Sequence, residues 1–305
     1  MHADARNSAR IAKTLIAAGL LLLGSSSALA TNPPTQPPPA DEDPGTGGAY
    51  NFWELSGNLV THDPTIIKEN RVWYELQTGP GIGGKYSYDG RYWYPSPSVF
   101  PSPLSWWRLY VPNHQGNDVW APDVKAFNGR VWLYYSISTF GSQTSLIGLA
   151  SAPSMASGNW RDEGLVIRSN SSVDYNAIDP DLVIDASGNP WLAFGSWFGG
   201  IKLTRLNPST MKPTGQIYAI ANRSGGIEAP TIVYRNGYYY LFVSVGRCCD
   251  GVNSTYRIMY GRSTSITGRT ATRTASTCAR AAARCSMAAI RAGSDRAGRT
   301  STAPA

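Results

Sequence analysis

Cysteine is nearly absent: the 305 residues hold four, of which Cys248 and Cys249 are adjacent and Cys278 and Cys285 lie near the C-terminus. Histidine is rarer still, confined to His2, His62 and His114. No Cys/His grouping has the spacing of a zinc site, which excludes the small metal-clipped folds and any His-cluster metal chemistry. After Ala30 there is no apolar run long enough to cross a bilayer as a helix. Basic charge is missing where a polyanion would need it. The formal net charge of +7 resides at the two ends: Arg6, Arg10 and Lys13 against Asp4, and seven arginines against Asp295 after Gly268. Between Thr31 and Gly268 stand 17 basic and 18 acidic residues, so the body offers no basic surface and nucleic-acid binding loses its main support.

The ends are read first. Arg6, Arg10 and Lys13 precede an apolar stretch, Thr14–Gly24, and the small residues Ala28–Ala30. This is the pattern of a cleaved secretory signal over 1–30, which places the mature chain outside the cell or in a periplasm. Residues 31–49 are rich in Pro and Gly and read as a flexible linker. The body is expected over 50–268. Residues 269–305 contain no Leu, Val, Phe, Tyr or Trp and are dominated by Ala, Arg, Thr and Ser. They read as a disordered tail with the composition of GC-rich DNA translated out of frame, or else as a natural basic tail.

Within the body one phrase recurs. "HDPTIIKENRVWYE" begins at His62, "WAPDVKAFNGRVWLYYS" at Trp120, "NAIDPDLVIDASGNPWLAFGS" at Asn176 and "EAPTIVYRNGYYYLFVS" at Glu228. Each has a proline, a short apolar strand, a polar turn and an aromatic-rich second strand, the signature of a β-hairpin. The prolines, Pro64, Pro122, Pro180 and Pro230, are spaced 58, 58 and 50 residues apart. The matching second-strand residues are taken as Tyr74, Leu133, Leu192 and Leu241. Repeats of this length with several strands per unit predict the blades of a β-propeller, whereas a β-sandwich predicts no recurring phrase.

In a propeller the first strand of each blade lines the central channel, so equivalent strand starts point at one axis. Asp63 and Asp179 immediately precede their prolines, and Glu228 lies two positions before Pro230. The three carboxylates should therefore meet at the channel mouth. Such a set is what glycoside hydrolysis needs: an acid for the leaving oxygen and an ionised carboxylate for water or carbon. An aspartate before proline equally serves to close a turn, and Asp123 and Asp181, just after the prolines, read as structural. Trp120 stands in register with Glu228, and Phe140 and Trp197 each close a second strand. Aromatic faces at a cleft suit the C–H faces of sugars, although most of the aromatic residues must pack between blades.

Together "HDPTII", "WAPDV", "YYSISTFGSQ", "NAIDPDL", "FGSWFGGI", "GGIEAPTIVYRNGYYYLF" and "CCDGVNSTYRI" resemble the endo-α-1,5-L-arabinanases of glycoside hydrolase family 43, from about Trp53 to Gly268. The resemblance implies an all-β, five-bladed β-propeller, of which about four blades are legible and the fifth is replaced by the tail. It implies a secreted monomer that cuts plant cell-wall arabinan or arabino-oligosaccharides with inversion and needs no cofactor for the chemistry. Carried over by motif, Asp63 is the general base, Glu228 the general acid, and Asp179 the residue that orients the acid and keeps its proton on. Asn176, Ser196 and Trp197 fall in substrate-contacting motifs, Trp120 and Phe140 in aromatic subsites, with Gly141 beside them. The family also carries a histidine beside a calcium-like ion in the channel; no histidine follows Gly268 here, which removes that ligand. Exo-acting arabinofuranosidases or xylosidases share the same catalytic trio. A carbohydrate-binding propeller without activity would keep the aromatics but has no use for three convergent carboxylates.

Overall fold

The computed structural model describes residues 54–268. The expected signal, linker and tail, and residues 50–53 of the expected body, lie outside the described residues. What is described is all-β, in four sheets that form a four-blade propeller arrangement. Blade 1 contains β1 (Ser56–Gly57), β2 (Thr65–Glu69), β3 (Val72–Gln77), β5 (Gly83–Ser87) and β6 (Tyr92–Ser96); between them β4 (Gly79–Pro80) leaves to pair with the next sheet. A single helical turn, α1 (Trp107–Tyr110), leads to blade 2: β7 (Asp118–Phe127), β8 (Arg130–Ile137), β9 (Ser145–Ala152) and β10 (Arg161–Ser169). Blade 3 is β11 (Asp181–Ile184), β12 (Pro190–Phe194), β13 (Ile201–Leu206) and β14 (Pro213–Ala221). Blade 4 is β15 (Glu228–Arg235), β16 (Tyr238–Val245) and β17 (Arg257–Ser263).

Each recurrent phrase is the first hairpin of a blade. Turn chemistry fixes these hairpins. Asn70-Arg71, Asn128-Gly129 and Asn236-Gly237 all have both residues at positive φ, the two-residue turn whose twist matches paired strands. Blade 3 uses a longer turn, closed by Gly188 N–H to Asp185 O at 2.9 Å with Gly188 at φ +81°. The Asp185 carboxylate accepts from the N–H groups of Ser187 and Asn189 and from Trp191 Nε1.

The strand register corrects one sequence expectation. Val124, Leu182 and Ile232, two residues past their prolines, pair with Leu133, Leu192 and Leu241. The equivalent Ile66 pairs with Glu75, not Tyr74. Tyr74 misled because its bulk mimics the leucines, yet it sits on the opposite face. Glu75 is thus a carboxylate where the other blades carry leucine. It is 2% exposed, lies 3.6 Å from Lys85 Nζ, and accepts from Thr61 Oγ1, while its Oε2 has no partner. Lys85 Nζ also donates to Val60 O at 2.7 Å, so the chain entering blade 1 lies across this ion pair.

The cores lie between blades. Tyr74 and Leu76 pack against Val124, Leu133 and Tyr135; Trp132 and Tyr134 against Leu182, Leu192 and Phe194; Val183, Trp191 and Ala193 against Ile232, Leu241 and Val243. A buried side chain of this size stabilises by about 1.5–3 kcal/mol. Alternation along each strand then leaves one face of blade 1 and one of blade 4 without a neighbouring blade among the described residues. On blade 4 that face carries Val233 and Ile258, both exposed, with partly buried Tyr240, Phe242 and Tyr260.

First strands touch in succession, β2 to β7, β7 to β11 and β11 to β15, and polar stitches tie them. The residue after each proline accepts an N–H from the next blade: Val124 N–H to Thr65 Oγ1 at 3.2 Å, Leu182 N–H to Asp123 Oδ2 at 2.7 Å, Ile232 N–H to Asp181 Oδ2 at 2.8 Å. Lys125 Nζ, 2.9 Å from Asp181 Oδ1 and 3.6 Å from Asp123 Oδ2, balances the two buried carboxylates. Burial and then the neighbouring groups still leave Asp123 pushed up to about 6. The structural reading of Asp123 and Asp181 agrees with these bonds.

Candidate active site

The residue before each recurrent proline has a left-handed backbone: Asp63 at φ +46°, Ala121 at +43°, Asp179 at +55° and Ala229 at +52°. Proline disfavours the right-handed helical region for its predecessor, and the register slips by one residue at each of the two positions that lie inside a strand, as in a bulge. That two of the four are alanines shows that the conformation belongs to the repeat and not to the aspartate side chain. It aims the backbone N–H at the preceding blade. Ala121 N–H meets Thr78 Oγ1 at 2.8 Å and Asp179 N–H meets Ser136 Oγ at 3.1 Å. At the next boundary the hydroxyl position is Gly195, and Ala229 N–H goes to the carboxylate of Asp179 at 3.1 Å instead.

Neither sequence-predicted aspartate caps its own turn through these bonds. Asp63 Oδ2 accepts from Thr78 Oγ1 at 2.7 Å and has His62 Nε2 at 3.5 Å; its side chain is 48% exposed. Asp179 is half-buried, its Oδ2 taken by the Ala229 N–H. Glu228 Oε2 accepts from Ser196 Oγ at 2.8 Å, and Ser196 is itself 4% exposed and bridged to Glu228 by backbone pairing. Burial first, then the Glu228 carboxylate, then that of Asp63, push the Asp179 carboxyl up to about 8, against the pull of the Ala229 N–H. Carboxylates of blades 1 and 4 thus both act on the Asp179 carboxyl of blade 3. The sequence reading leaves Asp179 ionised; its surroundings favour the protonated carboxyl instead.

Two neighbours had no role in the sequence reading. The segment from Arg247 to Tyr256 is a stapled loop: Thr255 N–H to Arg247 O at 3.1 Å, Arg247 N–H to Thr255 Oγ1 at 3.0 Å, Ser254 Oγ to Arg247 O at 2.8 Å, and an Arg247–Asp250 ion pair at 3.0 Å. It brings the Tyr256 hydroxyl to Glu228 and Ser244, and the Cys248 thiol to Cys249, Glu228 and Asp63. Burial first, then Cys249 and after it the two carboxylates, push the Cys248 thiol up to about 12; burial and then Glu228 raise Tyr256. The motif "CCDGVNSTYRI" was visible in the sequence, but nothing in it says which way the loop folds.

The aromatic candidates differ in exposure. Trp120 is half-buried, with Nε1 donating to Asp118 Oδ2 at 2.6 Å. Phe140 is 85% exposed, at the second position of a turn in which Gly141, at φ +75°, takes the left-handed place and Ser142 N–H bonds Thr139 O at 3.0 Å. Asn176 is 4% exposed beneath that turn; its amide donates to Ser142 O at 3.3 Å and accepts from Ser169 Oγ at 3.4 Å. Asn176 therefore reaches the cleft through the turn it supports. Trp197, 48% exposed, lies flat on Gly226, where a Cβ would come within 2.8 Å of the indole. With Phe198, Arg223 and Ser224 it lines a cleft of about 460 Å³ to one side of the carboxylates. Among the described residues no group of three or more His, Cys, Asp or Glu is arranged to hold a metal ion.

The profile of Glycosyl hydrolases family 43 matches residues 57–287. The chain belongs to glycoside hydrolase family 43. The match covers the four blades and runs past Gly268 into the Arg/Ala-rich segment. The extracellular endo-α-(1→5)-L-arabinanase 1 of Bacillus subtilis is 60% identical over 224 residues, 71% of this chain and 69% of that protein. The extracellular exo-α-(1→5)-L-arabinofuranosidase of Cellvibrio japonicus is 38% identical over 226 residues, 68% of this chain and 65% of that protein. Among solved structures, the family 43 endo-arabinanase of Bacillus licheniformis superposes with a TM-score of 0.69 at 61% identity, covering 71% of this chain and 76% of that one. As a member of family 43, the chain is a glycoside hydrolase.

Proposed function

We propose that this chain is a secreted, inverting endo-hydrolase of α-1,5-linked arabinofuranose chains. The observation that carries the reading is the repeated left-handed turn at Asp63, Asp179 and Ala229, through which Asp179 accepts the N–H of the residue after Glu228. Asp63, open to solvent, takes a proton from water as the water oxygen attacks the anomeric carbon. Glu228 gives a proton to the departing oxygen, so the base gains the proton that the acid loses and the configuration inverts. The proton of the Asp179–Glu228 pair serves this step, residing on Asp179 in the free protein and on Glu228 when the leaving oxygen is beside it. Ser196 and Tyr256 hold Glu228 in place, and Trp120, Phe140 with Gly141, and Trp197 take sugar faces, with Asn176 beneath. No step runs through a metal. Identity of 60% to a named extracellular endo-arabinanase supports both substrate and secretion, and the chain acts as a monomer.

The open faces of blades 1 and 4 support a second element of this proposal. Residues 269–305 offer Met287 and Ile290 as their large apolar side chains, too little to cover the aromatic face of blade 4. We propose that a chain with only these residues beyond blade 4 is poorly soluble and nearly inactive on linear arabinan.

The test is digestion of linear arabinan with product sizing and NMR of the first-formed anomer. Mid-chain fragments with inverted configuration are expected. Release of short products from chain ends alone would favour the exo reading that the 38%-identical relative suggests; tight binding with no product from a chain whose blades are all covered would favour a carbohydrate-binding propeller. In such a covered chain, Glu228→Ala should be rescued by an activated aryl leaving group and Asp63→Ala by azide.

A further inference from the structure

Cys248 and Cys249 are used by neither the fold nor the reaction proposed above. Both are reduced in the structure, Cys249 exposed and Cys248 partly covered. Their thiols face one another, and Cys248 also faces Glu228 and Asp63. The stapled ends of the loop, Arg247 against Thr255 and Ser254, hold the pair in the channel wall, and Cys249 has a left-handed backbone, φ +62°. Neighbouring residues have Cα atoms about 3.8 Å apart across a trans peptide, short of the usual span of about 4.4–6.8 Å for a disulfide. A bond between them closes almost no loop, so it contributes little as a staple. It is strained, and strained or exposed disulfides are the readily reduced ones.

We propose that Cys248–Cys249 is a thiol–disulfide exchange site in the channel wall, taking low-molecular-weight disulfides as its oxidising partner. The Cys249 thiolate, being exposed, attacks one sulfur of the external disulfide; the S–S bond breaks and one thiol leaves with a proton from solvent. Cys248 then gives its proton to solvent and attacks the Cys249 sulfur, expelling the second thiol. Two cysteine thiols are oxidised to one vicinal disulfide, one external disulfide is reduced to two thiols, and both protons are accounted for. Burial beside two carboxylates raises the Cys248 thiol and makes the closing step the slow one. A reductant reverses the sequence. The inference rests on the placement of the loop and is independent of the hydrolytic reading.

The test does not require activity. Trypsin cleavage after Arg247 and Arg257 releases residues 248–257 as one peptide holding both cysteines. The full, unglycosylated chain is equilibrated with graded mixtures of oxidised and reduced glutathione, alkylated and digested, and the peptide is weighed. It is expected to change, reversibly, from doubly alkylated to unalkylated and lighter by two hydrogens as the mixture becomes oxidising. In Cys249→Ser, the folded chain should form no glutathione adduct at Cys248. A peptide doubly alkylated in every mixture, one that accumulates glutathione without closing, or one joined to the peptides of Cys278 or Cys285 would overturn the proposal. A glutathione adduct at Cys248 in folded Cys249→Ser would overturn the assigned order.

Discussion

Asp179 carries two duties that pull on its ionisation in opposite directions. It accepts the Ala229 N–H, which favours the carboxylate, and it is buried beside Glu228 and Asp63, which favours the acid; burial wins, from 3.8 to about 8. The folded state then holds a proton that the unfolded chain loses across this window. Stability from this group is greatest below 3.8 and declines as pH rises to about 8. Asp179→Asn keeps an oxygen for Ala229 but cannot ionise. Its melting temperature should exceed that of the parent at the upper end of the window and approach it at the lower end. A shift of the same size at both ends would assign the effect to packing. For hydrolysis the sign is the same: kcat/KM on linear arabinan should fall as pH rises through about 8, and a flat profile across that pH would remove the pair's proton from the mechanism.

At the scale of the element, the unit is a hairpin with a bulge at its entrance. Thr78 shows how the bulge serves both fold and site: its hydroxyl donates to Asp63 at 2.7 Å and accepts the Ala121 N–H at 2.8 Å. Thr78→Val keeps the shape and leaves that N–H and carboxylate unserved. A loss of about 1–3 kcal/mol in denaturant unfolding is expected, and a loss below about 0.5 kcal/mol would mean that water replaces the hydroxyl at no cost. Asp181→Ala should cost a similar amount, about 1–3 kcal/mol, because the buried Ile232 N–H loses its acceptor and Lys125 keeps only Asp123 as a carboxylate neighbour. The hairpins themselves were legible because Asn-Gly turns and alternating strands act locally. The left-handed entrance was not: proline excludes one region for its predecessor without choosing between the others. Nor were Tyr256 and Cys248, whose approach to the carboxylates depends on how the Arg247–Thr255 loop closes. The one-residue misplacement in blade 1 arose from reading size where register decides.

The whole molecule is a chain of blades whose joints are alike and whose two ends are not covered among the described residues. Val233 and Ile258, with Phe242 and Tyr260 between them, form the larger bare face, and apolar patches of this kind invite association. Replacing residues 269–305 with the C-terminal part of the Bacillus subtilis relative should raise the melting temperature, remove concentration-dependent aggregation and raise arabinan hydrolysis. Equal stability and turnover in both chains would show that four blades suffice.

Near-identical blades raise a question of counting. Units that dock by the same phrase could begin the ring at any of them, and a sequence of repeats contains nothing that marks number one. Glu75, standing where the other hairpins have leucine, supplies the mark. Its charge is tolerable only beside Lys85 and under the strap of Val60 and Thr61. A first blade inserted at another's place would carry the Glu75–Lys85 pair into a joint where the other hairpins pack leucine. Among the described hairpins this break in the leucine pattern thus works as an origin, and the order of assembly is written into the residue that makes it.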